Sequence, residues 1–335
     1  MMFSVVVATY NRMASLRAVL DALAAQQTGG RLTYEVIVTD NGSTDATESM
    51  VSALSRAYPV RLRYVRETRQ GKPHALNAAL ALATGDFIAF TDDDTVIPDR
   101  WLAALHEACR RHQADGAGGP VRPVWITPRP AWLTDGLLRQ LGMVEYGAAP
   151  FVITSPEQIL IGPNCAYRKA LFTRLGGFQP GDPAEDTDWF LRALRAGARL
   201  VYEPAASLGH QIDGDRLTPK ALARRFFRHG QGYGLRLQEQ HNRRTVCRVP
   251  LWVVRTHLGL HVKALAALAR GESRLATEQW LMRHVYAGVM QQCAADWLRR
   301  KPVSGARPAV PTAAVSTSTS GSDPTPSVGS DPALS

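Results

Sequence analysis

Three carboxylates stand side by side directly after a short apolar run, in the segment FIAFTDDD that ends at Asp94. Neighbouring like charges repel, so the cluster costs stability unless a cation neutralises it. Mg²⁺ and Mn²⁺ prefer oxygen ligands and keep positions open for substrate phosphates. Asp92, Asp93 and Asp94 therefore indicate a divalent-cation site for a diphosphate. The structural alternative is an acidic turn that caps the helix beginning near Pro98.

A second polar cluster, Asp40 to Asp45, also follows an apolar run and precedes a helical stretch. Ser43 or Thr44 can cap that helix, while Gly42 permits a tight turn. The carboxylate of Asp40 stands where acceptor oxygens can recognise the base or the ribose hydroxyls of a nucleoside.

The segment Gly71 to Asn77 opens the next helix with a lysine, Lys72. A helix N-terminus beside an ammonium group favours an anion. The signal is weak by itself, because the sequence contains neither a GxxxxGK[ST] nor a GxGxxG motif.

A third acidic cluster, Glu185 to Asp188, begins a helix, with Asp182 upstream. The helix dipole accounts for one or two acids in a first turn, but four acids indicate a chemical role as well. Asp186 is a candidate general base for a group transfer. His210 is a candidate metal ligand or phosphate contact, with a purely structural histidine as the alternative.

Short β-branched runs alternate with helical stretches in the first half, which predicts βαβ units and a mainly parallel sheet flanked by helices, an α/β fold. Ligands of such sheets bind beyond the carboxyl ends of the strands, so the polar loops should converge at one edge. Predicted strands span Phe3–Ala8, Glu35–Thr39, Arg61–Val65 and Asp86–Phe90, and predicted helices lie near Arg12–Gln27, Asp45–Tyr58, Lys72–Ala83 and Asp99–His112.

The second half is less regular in sequence. Pro and Trp accumulate between Gly116 and Gln158, which predicts an irregular region on the acceptor side. Helices are expected to dominate from Leu217 to Trp297, as a helical C-terminal extension. The Pro/Ser/Thr/Gly-rich run from residue 301 to 335 lacks apolar periodicity and predicts a disordered tail.

Composition places the chain among globular proteins of a reducing compartment. It has 335 residues, 45% of them hydrophobic, and four cysteines without a CxxC pair. No secretion signal precedes the first strand-like run. The most apolar late segment, Leu251 to Leu268, is interrupted by Arg255 and Lys263, so no transmembrane helix is expected. A cytoplasmic location follows, with peripheral contact at the inner face of a membrane as an option.

Positive charge is concentrated in the C-terminal third. From Arg216 to Lys301 there are 17 Lys and Arg residues against four acids, whereas the whole chain carries a net charge of +10. Such a region suits anionic lipid headgroups, an anionic glycan or lipid-phosphate acceptor, or nucleic acid. A solvated helical face explains it equally well.

Taken in order, these segments resemble the family 2 glycosyltransferases of the GT-A fold. The resemblance spans residue 3 to about residue 235 and rests on an ordered set of matches: VVVATYNR ending at Arg12, Asp40 to Asp45, Gly71 to Asn77, Gly85 to Asp94, Gly162 to Lys169, Gly176 to Phe178, Glu185 to Arg192, and Gly197 to His210.

The resemblance implies a GT-A domain over 1–212, with a nucleotide-binding half at 1–95 and an acceptor half at 96–212, followed by a basic helical region at 213–300 and the tail at 301–335. It implies an inverting transfer of one sugar from a nucleotide-diphosphate sugar to an acceptor hydroxyl, with Mn²⁺ or Mg²⁺. The implied roles are catalysis for Asp186, metal binding for Asp92, Asp94 and His210, and nucleotide-sugar binding for Thr9, Tyr10, Asn11, Arg12, Asp40, Lys72, Asp92, Asp93 and Glu185.

One departure from the family concerns processivity. The Gln-x-x-Arg-Trp segment of processive synthases is missing after His210, where Arg224 to Tyr233 stands instead. This favours addition of one or a few sugars to a lipid-linked or polysaccharide acceptor in cell-surface glycan synthesis. The competing hypotheses are a sugar-nucleotide-forming nucleotidyltransferase, although its glycine-rich loop is missing after the first strand, and a non-enzymatic basic protein that binds nucleic acid or membrane. No nucleic-acid partner is expected, because such a role would leave the acid clusters without a purpose.

Overall fold

The computed structural model describes residues 1–213, 217–237, 245–246 and 249–299, and an eight-stranded sheet forms its centre. Four parallel strands make up one side of the sheet, in the spatial order third, second, first, fourth. The four strands predicted from the sequence are confirmed, with ends within two residues of the prediction: β1 Met2–Thr9, β2 Thr33–Asp40, β3 Arg61–Arg66 and β4 Phe87–Asp92.

Helices follow these strands as the sequence predicts. The second helix begins two residues later than Asp45, because Asp45 Oδ1 accepts hydrogen bonds from Thr47 N at 3.1 Å and Thr47 Oγ1 at 2.6 Å. The prediction that Ser43 or Thr44 caps this helix is wrong, since Ser43 Oγ accepts from Asn11 N at 2.8 Å instead. The helices are α1 Met13–Ala24, α2 Thr47–Ser55, α3 Lys72–Leu82 and α4 Trp101–Arg111.

The stretch predicted to be irregular, 116–158, contains three short strands and a helical turn. The first of them, GAG at 116–118, offers almost no side chain for a strand pattern to reveal, and it is held by pairing with neighbours on both sides. A Cβ on Gly116 would lie 2.6 Å from Tyr167 Cδ1, so close packing requires glycine. The elements of this half are β5 Thr95–Val96, β6 Gly116–Gly118, β7 Val121–Trp125, α5 Asp135–Leu138, β8 Phe151–Val152, β9 Cys165–Arg168, α6 Lys169–Leu175, α7 Glu185–Arg195, β10 Leu200–Tyr202 and β11 Leu208–Ile212.

Strand β9 joins the two halves of the sheet. It runs antiparallel to β4 on one side and to β6 on the other, and β10 and β8 complete the order. A separate three-stranded sheet combines β5, β11 and β7. Within it His210 lies opposite Thr95, so β11 delivers a histidine to the end of the acidic triplet.

Strand register brings the polar loops together. Thr9 pairs with Asp40 across β1 and β2, while Ala8 pairs with Asp92 across β1 and β4. The carboxyl ends of three parallel strands therefore meet at one edge, as the sequence predicts.

The core lies on both faces of the sheet. Val5 and Val7 of β1 belong to one buried cluster and Val6 to the other, which is the two-residue alternation of a strand covered on both sides. Each is fully buried, and each contributes about 1.5–3 kcal/mol from the burial of its side chain. The strands are thereby fixed, and with them the loops at their ends.

Three helices form the C-terminal side, namely α8 Pro219–Leu237, α9 Leu251–Ala269 and α10 Ser273–Arg299, with β12 Thr245–Val246 pairing with β13 Val249–Pro250. Glycines bring α8 and α10 into backbone contact. A Cβ on Gly230 would lie 1.9 Å from Val285 O, and one on Gly288 would lie 2.0 Å from Phe227 O. The expected helical extension is confirmed.

No helix within the described ranges is both long enough and apolar enough to cross a bilayer. Residues Met1–Arg299 cluster as one compact unit, and the proposed division at residue 212 stays a prediction. The tail expected at 301–335 lies outside the described residues.

Candidate active site

The three acids after β4 do not share one environment. Asp93 is 5% exposed; it accepts hydrogen bonds from Thr9 Oγ1 at 2.7 Å and from Arg12 Nη1 at 2.9 Å. Burial raises the pKa of the Asp93 carboxyl, and Arg12 opposes that rise. Asp92 and Asp94 flank Asp93 in the sequence, and their ligand atoms lie close to each other and to those of His210. The middle acid thus anchors the loop after β1, while the outer two are available to a ligand.

Protein cations partly offset the charge of the acidic triplet. Lys72 Nζ lies 2.6 Å from Asp92 Oδ1, and Arg12 Nη1 bonds both Asp93 and Asp94. Two positive charges from the protein therefore stand beside three carboxylates, and part of the neutralisation that the sequence analysis assigns to a metal ion comes from Arg12 and Lys72. A metal site here has to be judged on its donor atoms.

The donor set fits a divalent cation. Ligand atoms of Asp92, Asp94 and His210 lie within 4.8 Å of one another. His210 Nε2 is 3.1 Å from Asp94 Oδ1, yet neither Asp94 Oδ1 nor His210 Nδ1 has a hydrogen-bond partner among the described residues, although both are buried. Buried polar atoms without partners are costly. Two carboxylates and an imidazole suit Mn²⁺ or a similar ion.

Asp94 stays ionised in this setting. Burial alone would raise the pKa of its carboxyl, but His210 and Arg12 hold that pKa well below its usual range. A carboxylate rather than a carboxylic acid therefore faces the donor set, as a metal ligand must.

A cavity of about 860 Å³ opens beside these acids. Thr9, Tyr10, Asn11 and Arg12 line it from the loop after β1, together with Lys72, Asp92, Asp93, Asp94 and His210. The two strand-end loops are tied to each other, since Thr44 N donates to Asn11 Oδ1 at 2.7 Å. Asn11 has a φ of 52°, in the left-handed region that asparagine tolerates better than most residues. The cavity is large enough for a nucleotide sugar.

Asp40 lies beneath this cavity and does not line it. Its side chain is fully buried, with Oδ1 accepting from Ser43 N and Oδ2 from Tyr64 Oη, each at 2.7 Å. Asn41 and Gln70 form the wall above it. The structure thus gives Asp40 a role in holding the loop, and its role as a nucleoside contact stays a prediction.

A second acidic group, Glu185 and Asp186, lies next to the acidic triplet. Glu185 and Asp186 line a narrow cavity together with Lys72 and Asp92, which also line the large cavity. Asp186 Oδ2 accepts from Gly162 N at 2.8 Å, and a Cβ on Gly162 would come within 3.0 Å of the same oxygen. The carboxylate is thereby held in place in a cavity that it shares with Lys72 and with Asp92 of the acidic triplet.

Glu185 is nearly inaccessible to solvent at 8% exposure. Burial raises the pKa of its carboxyl to about 7; Lys72 opposes the rise and Asp186 adds to it. A buried carboxyl whose pKa is raised towards neutrality is a frequent feature of active sites.

Sequence reasoning missed the wall that α8 contributes. Arg225 and Arg228 line the large cavity, and Arg225 Nη2 donates to Leu141 O at 3.3 Å. Burial lowers the pKa of the Arg225 guanidinium, whereas Asp92 and Asp94 act against that. The basic run was visible in the sequence, but only the packing of α8 shows that part of it faces the acids.

Comparisons with known proteins agree with this geometry. The family model "Glycosyl transferase family 2" matches residues 4–176, just over half of the chain. A relative, succinoglycan biosynthesis protein ExoM of Rhizobium meliloti, is 30% identical over 243 residues, covering 70% of this chain and 74% of the relative. The glucosyl-dolichyl phosphate glucuronosyltransferase of Haloferax volcanii is 26% identical over 257 residues, covering 71% and 78%.

Among solved structures, the mannosyltransferase PcManGT of Pyrobaculum calidifontis, in complex with GDP-Man and Mn²⁺, superposes with a TM-score of 0.53 at 22% identity, covering 91% of this chain and 76% of that one. At this identity the likeness shows the fold alone, and the GT-A architecture predicted from the sequence is confirmed. The family match and the 30% identical relative go further. The chain therefore belongs to glycosyl transferase family 2 and is a glycosyltransferase.

Proposed function

We propose that this glycosyltransferase is metal-dependent and inverting, and that it transfers one sugar from a nucleotide-diphosphate sugar to an acceptor hydroxyl. The observation that carries the proposal is that two groups of acids meet at Lys72. Asp92, Asp94 and His210 form the candidate cation site, and Asp186 lines a narrow cavity together with Lys72 and Asp92. This arrangement suits a leaving diphosphate at the cation and a base close to the reacting bond.

The chemistry of the step then assigns the residues. The acceptor oxygen bonds to the anomeric carbon as the bond from that carbon to the diphosphate oxygen breaks, and the acceptor proton passes to Asp186. A bound divalent cation supplies charge neutralisation for the diphosphate. Lys72 and Arg225 add positive charge from the protein on the same side. Thr9, Tyr10, Asn11 and Arg12 would contact the nucleotide, and Asp93 holds Thr9 and Arg12 through hydrogen bonds.

The acceptor is proposed to be a glycan or a lipid-linked sugar in cell-surface glycan synthesis. Two relatives act in this chemistry by name, one in succinoglycan biosynthesis and the other on glucosyl-dolichyl phosphate. Their overlap with most of this chain supports a shared class of acceptor, while the donor base and sugar are left to experiment.

A peripheral contact with an anionic membrane is part of the same proposal. Helix α9 exposes an apolar stripe and carries basic residues but no acid: Leu258, Val262, Leu265 and Leu268 are each more than half exposed, near Arg255 and Lys263. An apolar stripe flanked by cations suits the surface of a bilayer with acidic lipids. Flotation with phosphatidylglycerol vesicles should carry the protein upward, and Leu258→Glu/Leu265→Glu should abolish this. Equal recovery of both proteins with the vesicles would contradict the contact.

The transfer proposal is tested by a panel of UDP-, GDP- and dTDP-sugars with Mn²⁺, Mg²⁺ or EDTA. One base class should raise the melting temperature in the presence of metal and should be hydrolysed slowly in the absence of an acceptor. Asp186→Asn should retain that donor binding and lower transfer by about 10²–10⁴-fold, the usual contribution of a general base. Full turnover by Asp186→Asn would refute the assignment of the base, and metal-independent donor binding would refute the cation site.

A further inference from the structure

A surface groove of about 1030 Å³ runs between α8 and α10. Lys220, Arg224 and Arg228 lie at intervals of four residues on α8, so they share one face of that helix. Trp280 and His284, also four residues apart, face them from α10. The groove therefore has a basic wall and an aromatic wall.

The three basic residues of this groove are exposed, and within the described ranges none of them forms an ion pair with a carboxylate. Within the same ranges, no acidic residue lines the groove. Cations left without protein partners on a concave surface attract an anionic ligand, and arginine in particular binds carboxylate and phosphate through paired hydrogen bonds.

The aromatic wall adds an apolar surface. Trp280 is 38% exposed, with Arg283 stacked over its ring at 5.1 Å and the His284 ring at 4.6 Å. The neighbouring side chains hold the indole in a fixed orientation while one part of it stays accessible. A flat, rigid aromatic surface suits the apolar C–H face of a sugar ring.

The groove adjoins the candidate active site at Arg228. Arg228 lines both the groove and the 860 Å³ cavity that contains Asp92, Asp94 and His210. A chain lying in the groove would thus have one end at the place where the donor sugar is expected. Pro219, Ala223 and Phe227 also line the groove, so it offers apolar surface for the faces of sugar rings beside cations that attract an anionic chain.

We propose that this groove binds the acceptor, and that the acceptor is an acidic glycan whose carboxylate- or phosphate-bearing sugars contact Lys220, Arg224 and Arg228 while a ring packs on Trp280. The inference rests on the proposed function and deepens it by naming the class of acceptor. It also gives part of the C-terminal positive charge a task distinct from the membrane contact of α9.

The test measures binding of pentagalacturonate and of neutral maltopentaose by calorimetry at low and high salt. Wild-type protein should bind the acidic oligosaccharide at least about tenfold more tightly at low salt, and this preference should shrink at high salt because the attraction is screened. Lys220→Ala/Arg224→Ala should lose that preference, whereas Trp280→Ala should weaken both ligands. Arg31→Ala/Arg56→Ala removes the same charge from exposed positions elsewhere and should change neither.

Donor binding separates the two proposals. The metal-dependent thermal shift with the matching nucleotide sugar should be unchanged in the groove variants, and circular dichroism should show that they are folded. Wild-type protein without any donor response would refute the proposed function, whereas a normal donor response with equal binding of acidic and neutral oligosaccharides would refute only the groove. Binding of geranylgeranyl diphosphate in place of pentagalacturonate, lost in the same variants, would also overturn the glycan assignment.

Discussion

The donor edge of the sheet and the α8–α10 side of the cavity reach the same active site by different means. At the donor edge the residues follow strand ends, and backbone pairing places Thr9 beside Asp40 and Ala8 beside Asp92. On the helical side Arg225 and Arg228 line the cavity from α8, and Gly230 and Gly288 let that helix touch α10. Strand register therefore positions the first region, whereas helix packing positions the second.

The acidic triplet offers the sharpest test within the donor edge. Asp94→Asn should weaken Mn²⁺-dependent donor binding on the order of 100-fold, because it removes a charged ligand from the cation site. Asp93→Asn should retain most of that binding and instead lower the free energy of unfolding by about 1–3 kcal/mol, because Arg12 loses a buried partner. Titration of Mn²⁺ by electron paramagnetic resonance, together with chemical denaturation, separates the two effects.

Similar losses of metal affinity in Asp93→Asn and Asp94→Asn would contradict the division of roles within the triplet. Full Mn²⁺ affinity in Asp94→Asn would show that Asp94 is not a ligand of the ion. Either result would show that strand register alone does not decide which acid of the donor edge binds the ion.

The helical side is tested through its glycines. Gly230→Ala places a Cβ 1.9 Å from Val285 O, so α8 and α10 must separate, and the free energy of unfolding should fall by about 1–3 kcal/mol. Gly259→Ala is the matched control on α9, where no atom lies within 4 Å of the added Cβ. Alanine there should stabilise the helix by up to about 1 kcal/mol. Equal melting temperatures for the two variants would show that α8 and α10 do not depend on this contact.

The structural features that the sequence predicted, and those that it did not, divide in the same way. The four βα units were predictable because β-branched runs and helical periods alternate without interruption, and the acids stand where strands end. The late start of α2 was missed because it depends on a side-chain hydrogen bond between Asp45 and Thr47. Strand β6 was missed because it consists of small residues that are held by the neighbouring strands. The sequence also did not reveal that Arg12 and Lys72 offset part of the negative charge of the acids. Arg12 stands 81 residues from Asp93, and Lys72 stands 20 residues from Asp92, so neither pair leaves a local pattern in the sequence.

A smaller effect is expected at Gly162, which lies beside Asp186. The added Cβ of Gly162→Ala would lie 3.0 Å from Asp186 Oδ2, so the carboxylate has to shift by a few tenths of an ångström. Transfer should fall by about tenfold, in keeping with the sensitivity of proton transfer to geometry, while donor binding stays unchanged. Gly176→Ala is not a suitable control, because its φ of 79° adds strain of its own. Gly259→Ala serves here as well, and a Gly162→Ala rate equal to wild type would show that Asp186 needs no such support.

The smallest predicted effect is a pH dependence of stability from Glu185. Burial raises the pKa of this carboxyl from its ordinary 4.5 to about 7, so between these values the folded state holds a proton that the unfolded chain releases. The associated stability is fully present below about pH 4.5 and is lost as the pH rises through 7, by about 1–3 kcal/mol.

Glu185→Gln cannot titrate, so in EDTA its melting temperature should fall less than that of wild type between pH 5 and pH 8. Glu48→Gln, at a side chain that is 61% exposed, should follow wild type. The same slope in Glu185→Gln and wild type would mean that Lys72 keeps Glu185 ionised in the folded state, and the acceptor side of the site would then pair its acid with a protein cation as the donor edge does.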